Sequence, residues 1–461
     1  MEHVMLVDRY QGQHSTTSET AVSEFEKAVF AVAAHRPAAT PLTAALKADE
    51  NLIAGLALRG LGVVLLGKAE DITAGRVALQ KARDALARAD GGTGFERALV
   101  EALELATQGF YKTAAARLEA RLVDNPKEFL SLKVANSLRF MTGEPKRMRE
   151  ITASTLGHWD QADAGYGFVL GLHAFGLEET GSFAEAEVIG KQAVAIENAD
   201  AWGIHAVSHV MEMRGRPGDG ADWLESSRQI WPQCNNFGFH LAWHLALFRL
   251  EAAEYDAVLE LYDQEIRPIE TDDFRDMANA VSMLWRLEQD GVNVGHRWQG
   301  VYEIAYKRRT DTTYVFASLH YLLALLGAGD KQAAWELVEN LKMRAKSPAN
   351  DDQAQVAAEV GVAFAELIVR LHANGGPVND ICDVALRLPA IGGSRAQRDV
   401  FVRTLMMLAA QSGEAAPFDA VNRMRSALKT EDRFVKASEE CLLKRRASPT
   451  RIERGPLIGH A

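Results

Sequence analysis

Glycines at fixed intervals constrain this chain most. Gly109, Gly143, Gly181, Gly215, Gly291 and Gly329, with Ala253 standing in the series, follow one another at spacings of 34, 38, 34, 38, 38 and 38 residues. A weaker continuation runs through Gly375 and Gly413, and Gly67 is an earlier member. A period of this length is the mark of a repeat array, in which each supersecondary unit buries its apolar face against the next. The segments between the turns carry apolar residues at helical spacing and end on Gly, Asp, Asn or Pro, as helix termini do. In "QGFYKTAAARLEARLVDNP" and "TGSFAEAEVIGKQAVAIEN" a glycine ends one helix and an aromatic two residues later starts the next. Small residues, Ala114 and Ala186, then permit close helix contact. The expected fold is all-α: a tetratricopeptide-like helical-hairpin solenoid, a right-handed superhelix with a concave inner groove.

Composition fits that expectation and narrows the partners. The 461 residues are 48% hydrophobic and 25% charged, an ordinary balance for a globular chain. A formal net charge of −11 argues against nucleic acid, whose phosphates require a basic surface. The three cysteines, Cys234, Cys382 and Cys441, are odd in number and far apart, which suits a reducing compartment and not a disulfide framework. No basic-then-apolar leader opens the chain. The most apolar window, "LIAGLALRGLGVVLLG", is short for a membrane span and contains Arg59. A cytoplasmic location without a membrane partner is therefore expected. Residues 1–17 read as a flexible segment, 18–440 as the solenoid, and 441–461, basic with two prolines, as a disordered tail.

Histidines carry what chemistry the chain offers. "HAVSHVME" holds His205, His209 and Glu212, and "HLAWH" holds His240, Trp243 and His244. Residues four apart share a helix face, so each pair presents two imidazoles together. With the turn residue placed at position 15 of each unit, His205, His209 and Glu212 take positions 5, 9 and 12, and His240 takes position 2 of the next unit. All four are inward positions of this architecture. His244 and Trp243 stand beside them, His320 approaches the same lumen, and His173 is expected to pack between helices. Three readings follow: interhelical packing, an organic or peptide ligand site, or a divalent metal held by His205, His209, Glu212 and His240. Imidazole with carboxylate suits zinc, iron, nickel or manganese.

Several chemistries drop out. The glutamate of HExxH is missing after His205, and His209-Val-Met-Glu212 reverses the Glu-x-x-His of di-iron bundles. "GVVLLGKA" ends on Ala69 where a P-loop needs Ser or Thr, and it reads as helix. There is no G-x-S-x-G elbow and no paired-cysteine zinc motif. Cys234, beside Asn235 and near the histidines, could serve as a nucleophile but reads more readily as a small packing group.

The words "HAVSHVMEMRGRPGDGADWLE", "WPQCNNFGFHLAWHLALFRLEAAEYDAVLELYDQEIR" and "DMANAVSMLWRLEQDGVNVGHRW" resemble the tetratricopeptide repeat protein 38 family, over about residues 20–440. The resemblance implies the helical-repeat fold and carries the family's inward histidines onto His205, His209, His240 and His244; it implies no reaction. A clamp for peptide C-termini would need inward Lys, Arg and Asn, of which the middle repeats offer few. The functional expectation is a binding scaffold that holds a protein segment, peptide or small molecule in a groove lined by Trp202, Trp243, Trp285 and the histidines. The alternative is a metal-dependent enzyme in which Glu212 completes the metal site or serves as base and Asp276 or His320 assists. A purely structural adaptor, with its histidines buried among their own helices, is the third possibility.

Overall fold

The computed structural model describes residues 5–374, 378–427, 429 and 432–447. The fold is all-α, a tetratricopeptide-like succession of helices in which sequence neighbours pack as antiparallel hairpins. The turn series is realised in the backbone. Gly109, Gly143, Gly181, Gly215, Gly291 and Gly329 have φ of 86°, 68°, 89°, 63°, 82° and 82°, and Ala253 has 59°. Each closes its helix with the same pair of bonds. At Gly181 its own N–H reaches Glu178 O at 2.8 Å and Ser182 N–H reaches Leu177 O at 2.9 Å. At Ala253 the pair is Leu250 O at 3.0 Å and Glu254 N to Arg249 O at 2.9 Å. This left-handed cap satisfies the last carbonyls of a helix, and glycine adopts it without a Cβ penalty. Gly67 and Gly413 share the left-handed φ, at 67° and 78°; Gly375 lies outside the described residues.

The chain forms two compact units where the sequence leads one to expect a single array from 18 to 440. The first comprises Met1–Val210 and Ser227–Phe237, the second Met211–Ser226 and Gly238–Ala461. The division falls inside the helix Ala201–Met213.

In the first unit the helices are set close by small residues. A Cβ on Gly176 would lie 2.9 Å from the Cα of Arg149, so the helices Tyr166–Glu179 and Pro145–Leu156 approach backbone to backbone. Ala114 and Ala186 are fully buried, as the repeat pattern expects. Residues 5–17 differ from the flexible segment read from sequence. Leu6–Val7 pairs antiparallel with Gln13–His14. Asp8 ties the hairpin by accepting from the N–H of Tyr10 at 2.8 Å and of Gly12 at 2.9 Å, and it lies 2.8 Å from His14 Nε2. Thr93 Oγ1 donates to Gln13 O at 2.7 Å, and both Ser15 N and Oγ donate to Glu96 Oε1 at 3.1 Å. Local polar bonds of this kind leave no hydrophobic period to read.

In the second unit the helix Phe274–Gln289 packs against Val315–Gly327 and Arg395–Ser412. Arg433–Ala447 is helical and packs on Arg395–Ser412, so residues 441–447, read from sequence as part of a disordered tail, belong to a helix. Residues 448–461 of that tail lie outside the described residues.

Candidate functional site: two buried histidine clusters

In the first unit the cluster grows from the ends of two helices. Tyr166–Glu179 is buried along its whole length after Tyr166, because its sequence, His173 apart, is apolar until it ends in Glu178 and Glu179. Those carboxylates are 0% and 3% exposed. They sit in a last helical turn, where the macrodipole disfavours negative charge, so their placement calls for a cation opposite them. The helix Ala201–Met213 supplies His205 and His209, both buried. His209 Nδ1 lies 3.3 Å from Glu178 Oε2 and 3.9 Å from Glu179 Oε1. One ligand atom from each of Glu178, Glu179 and His209 fits within a set whose members are all within 4.8 Å of one another. Its other nitrogen, Nε2, is 3.0 Å from Nε2 of His205, so one imidazole donates to the other. Phe175 stacks on His205 and meets His209 edge-on, with centroids 5.3 Å away in each case, fixing both rings.

The same unit holds a second polar group among aromatics. Lys133, on the helix Phe129–Met141, places Nζ 3.2 Å from His35 Nε2 and 5.2 Å from the centre of the Trp202 ring. Burial lowers the Lys133 ammonium to about 8, against an opposing pull from Asp200. Burial likewise raises Asp200 to about 7, outweighing the Gly203 N–H and Lys133.

In the second unit Glu212, His240 and His244 are also buried. His240 Nδ1 lies 2.8 Å from Asn279 Oδ1, so Nδ1–H donates and Nε2 keeps the lone pair. His244 Nδ1 is 3.6 Å from Glu212 Oε2, an electrostatic contact longer than a hydrogen bond. Trp243 stacks on His240 at 5.2 Å, donates to Ser282 Oγ at 3.1 Å, and carries the Arg286 guanidinium 5.4 Å above its ring.

The side chains expected to line a groove are buried. His205, His209, Glu212, His240, Trp243, His244, Asp276, Trp285 and His320 are each 8% exposed or less. They fill space between helices, and an aromatic or imidazole ring does so by stacking as readily as an apolar side chain. Trp285 donates to Thr404 Oγ1 at 2.8 Å. Asp276 accepts from Thr271 Oγ1 at 2.6 Å in the first turn of its helix. His320 lies 2.8 Å from Phe316 O through Nδ1 and meets Phe401 edge-on at 4.8 Å, which makes it a packed core residue. His173 packs between helices as expected, 2.9 Å from Thr152 Oγ1.

The four-residue metal set read from sequence draws His205 and His209 from the first unit and Glu212 and His240 from the second. Within the first unit the partners of His209 are Glu178 and Glu179, which sequence reasoning missed. The available signal was an acidic pair closing an otherwise apolar helix. His35, Lys133, Asn279, Ser282 and Arg286 were missed as well; the last three share one helix at spacings of three and four, inside a word read only for its family resemblance.

No helix among the described residues is long and apolar enough to cross a membrane. No family model matches the chain. Among solved structures it is similar to "Crystal Structure of the Yeast Tom70", with 13% identity, a TM-score of 0.33, and coverage of 93% of this chain and 90% of that one.

Proposed function

We propose that this chain is a helical-repeat binding protein whose ligand is a divalent metal ion, held in the first unit by His209, Glu178 and Glu179. One observation carries the reading: three buried ligand atoms from consecutive hairpins, with separations of 3.3 and 3.9 Å from His209 Nδ1. Two ligands of one tetrahedral ion at roughly 2.1 Å lie roughly 3.4 Å apart. One imidazole and two carboxylates suit manganese, iron or zinc. With Nδ1 on the ion, Nε2–H of His209 donates to His205, and this outer bond orients the ring. The metal-dependent enzyme is the form of this reading in which the ion polarises a substrate, with His205 as the neighbouring base. A peptide groove built from Trp243 and Trp285 loses support, since both indoles are spent on contacts inside the second unit. Membership of the tetratricopeptide repeat protein 38 family and a cytoplasmic location belong to the same proposal; the three cysteines are free thiols.

Elemental analysis of protein purified without a histidine tag tests the metal. About one equivalent of manganese, iron or zinc per chain is expected. His209→Ala should weaken binding by more than the roughly 10–100-fold that loss of an outer partner costs. Protein that neither retains metal nor gains thermal stability on adding these ions would refute the proposal.

A further inference from the structure

Away from the carboxylates, the first unit contains a lysine whose surroundings are built like those of a nucleophile. Lys133 is 6% exposed, in the middle of "FLSLKVANSLRFM". Lysine is seldom buried to this degree unless paired. Its nearest polar neighbour is an imidazole, His35, and the fold holds His35 there at a conformational cost. His35 has φ of 54°, and Arg36 N reaches back to Ala31 O at 2.7 Å. His35 thus occupies the left-handed capping position of the helix Glu19–Ala33, where glycine is free of strain and other residues are not. Its ring stacks against Trp202, centroids 5.3 Å and planes 9° apart, and against Phe237, 4.2 Å and 25°, and those two rings also meet each other at 5.6 Å. Its carbonyl takes the Asn235 N–H at 2.7 Å. Strained backbone held by surrounding contacts concentrates at functional sites. Two further buried donors, Trp202 Nε1 and Asn136 Nδ2, have no acceptor among the described residues. Asn136 lies one turn along the same helix as Lys133.

We propose that Lys133 is a carbonyl-capturing amine with His35 as its proton acceptor, and that this site takes a small aldehyde or ketone. The Nζ lone pair attacks the carbonyl carbon, and the C–N bond forms as the C=O π pair moves onto oxygen. His35 takes one Nζ proton and delivers it to that oxygen, giving a carbinolamine. The second Nζ proton follows by the same route, the C–O bond breaks, and water leaves the imine. Both protons end on the departing oxygen, so no oxidant or reductant is consumed. Trp202 and Asn136 supply donors for an acceptor oxygen of the ligand. Burial keeps part of the amine neutral near pH 8, the condition a nucleophilic lysine needs.

Reductive trapping on the intact protein tests this. The full chain is incubated at pH 8 with acetaldehyde, or separately with pyruvate, and cyanoborohydride, and the adducts are mapped by peptide mass spectrometry. A chelator is present, so the labelling is independent of any metal at Glu178, Glu179 and His209. Lys133 should be alkylated roughly tenfold or more faster than the exposed Lys146 and Lys307. His35→Gln should slow the Lys133 adduct at least tenfold with an unchanged far-UV spectrum. Labelling of native Lys133 no faster than the two reference lysines would overturn the proposal. Rapid labelling indifferent to His35→Gln would overturn the role of the histidine.

Discussion

Ala253 shows at one residue how the repeat is enforced. It adopts φ of 59° at a position where the rest of the series has glycine, and it makes the same two capping bonds. A non-glycine residue in this region costs roughly 1–2 kcal/mol, partly offset by the extra entropy glycine loses on folding. Ala253→Gly is therefore expected to stabilise the chain by about 0.5–1 kcal/mol, seen as a higher urea midpoint at unchanged slope. His320 makes the opposite kind of statement. Burial holds its imidazole down at about 3, the Phe316 carbonyl opposing and Arg286 assisting. A histidine depressed in the folded state stays neutral while the unfolded chain binds a proton. Its contribution therefore erodes stability as pH falls from about 6.5 toward 3. His320→Gln should remove about 2–3 kcal/mol of acid sensitivity between pH 7 and 4.5, measured by denaturation at both values. The two residues also mark what sequence could tell. The turn at Ala253 was legible because a left-handed cap at a fixed interval leaves a spacing that survives one missing glycine. The fate of His320 was not, because helical phase gives the direction of a side chain and says nothing of what fills the space before it.

Helix pairs in the first unit depend on glycines that are not turns. Gly176 faces the backbone of Arg149, with its nearest atoms 2.9 and 3.0 Å from where a Cβ would stand. Gly176→Ala forces the two helices apart and should cost about 1–3 kcal/mol. Gly62, in the helix Ile53–Val64, has nothing within 4 Å of its would-be Cβ. Gly62→Ala should stabilise by up to about 1 kcal/mol, since only helix propensity changes. Thermal melts of the two variants should therefore move in opposite directions, and a shared direction would contradict the packing described. At this scale most of the helices were readable from period and punctuation, including the small residues Ala114 and Ala186. The hairpin Leu6–Val7 with Gln13–His14 was not, because strands two residues long have no alternation to detect and Asp8 organises them by polar bonds. The acidic end of Tyr166–Glu179 was readable in principle. A carboxylate pair in the last turn of an apolar helix contradicts both burial preference and the helix dipole, and such contradictions collect at functional sites.

For the molecule as a whole, repeat period and compact unit are different things. The turns at Gly215 and Ala253 keep the register of the series, yet the chain leaves the first unit after Val210, returns to it at Ser227 and leaves again after Phe237. A period reports how each hairpin meets the next; it carries no record of longer contacts, and so a single array was the natural expectation. The returning segment is short but supplies much to the first unit. Trp231 is buried there, Asn235 N bonds His35 O, and Phe237 stacks on His35 and meets His205 edge-on. A fragment ending at residue 210 keeps the helices of the unit's first stretch, the helix Ala201–Met213 short of its last three residues, and loses all four contributions. One ending at 237 restores them. The longer fragment should melt roughly 5 °C higher and as one transition, if the segment contributes about 2 kcal/mol to a domain of this size. Equal melting temperatures would mean that 227–237 merely lies against the unit. The strained His35 would then have to be held by Trp202 and its own helix cap alone.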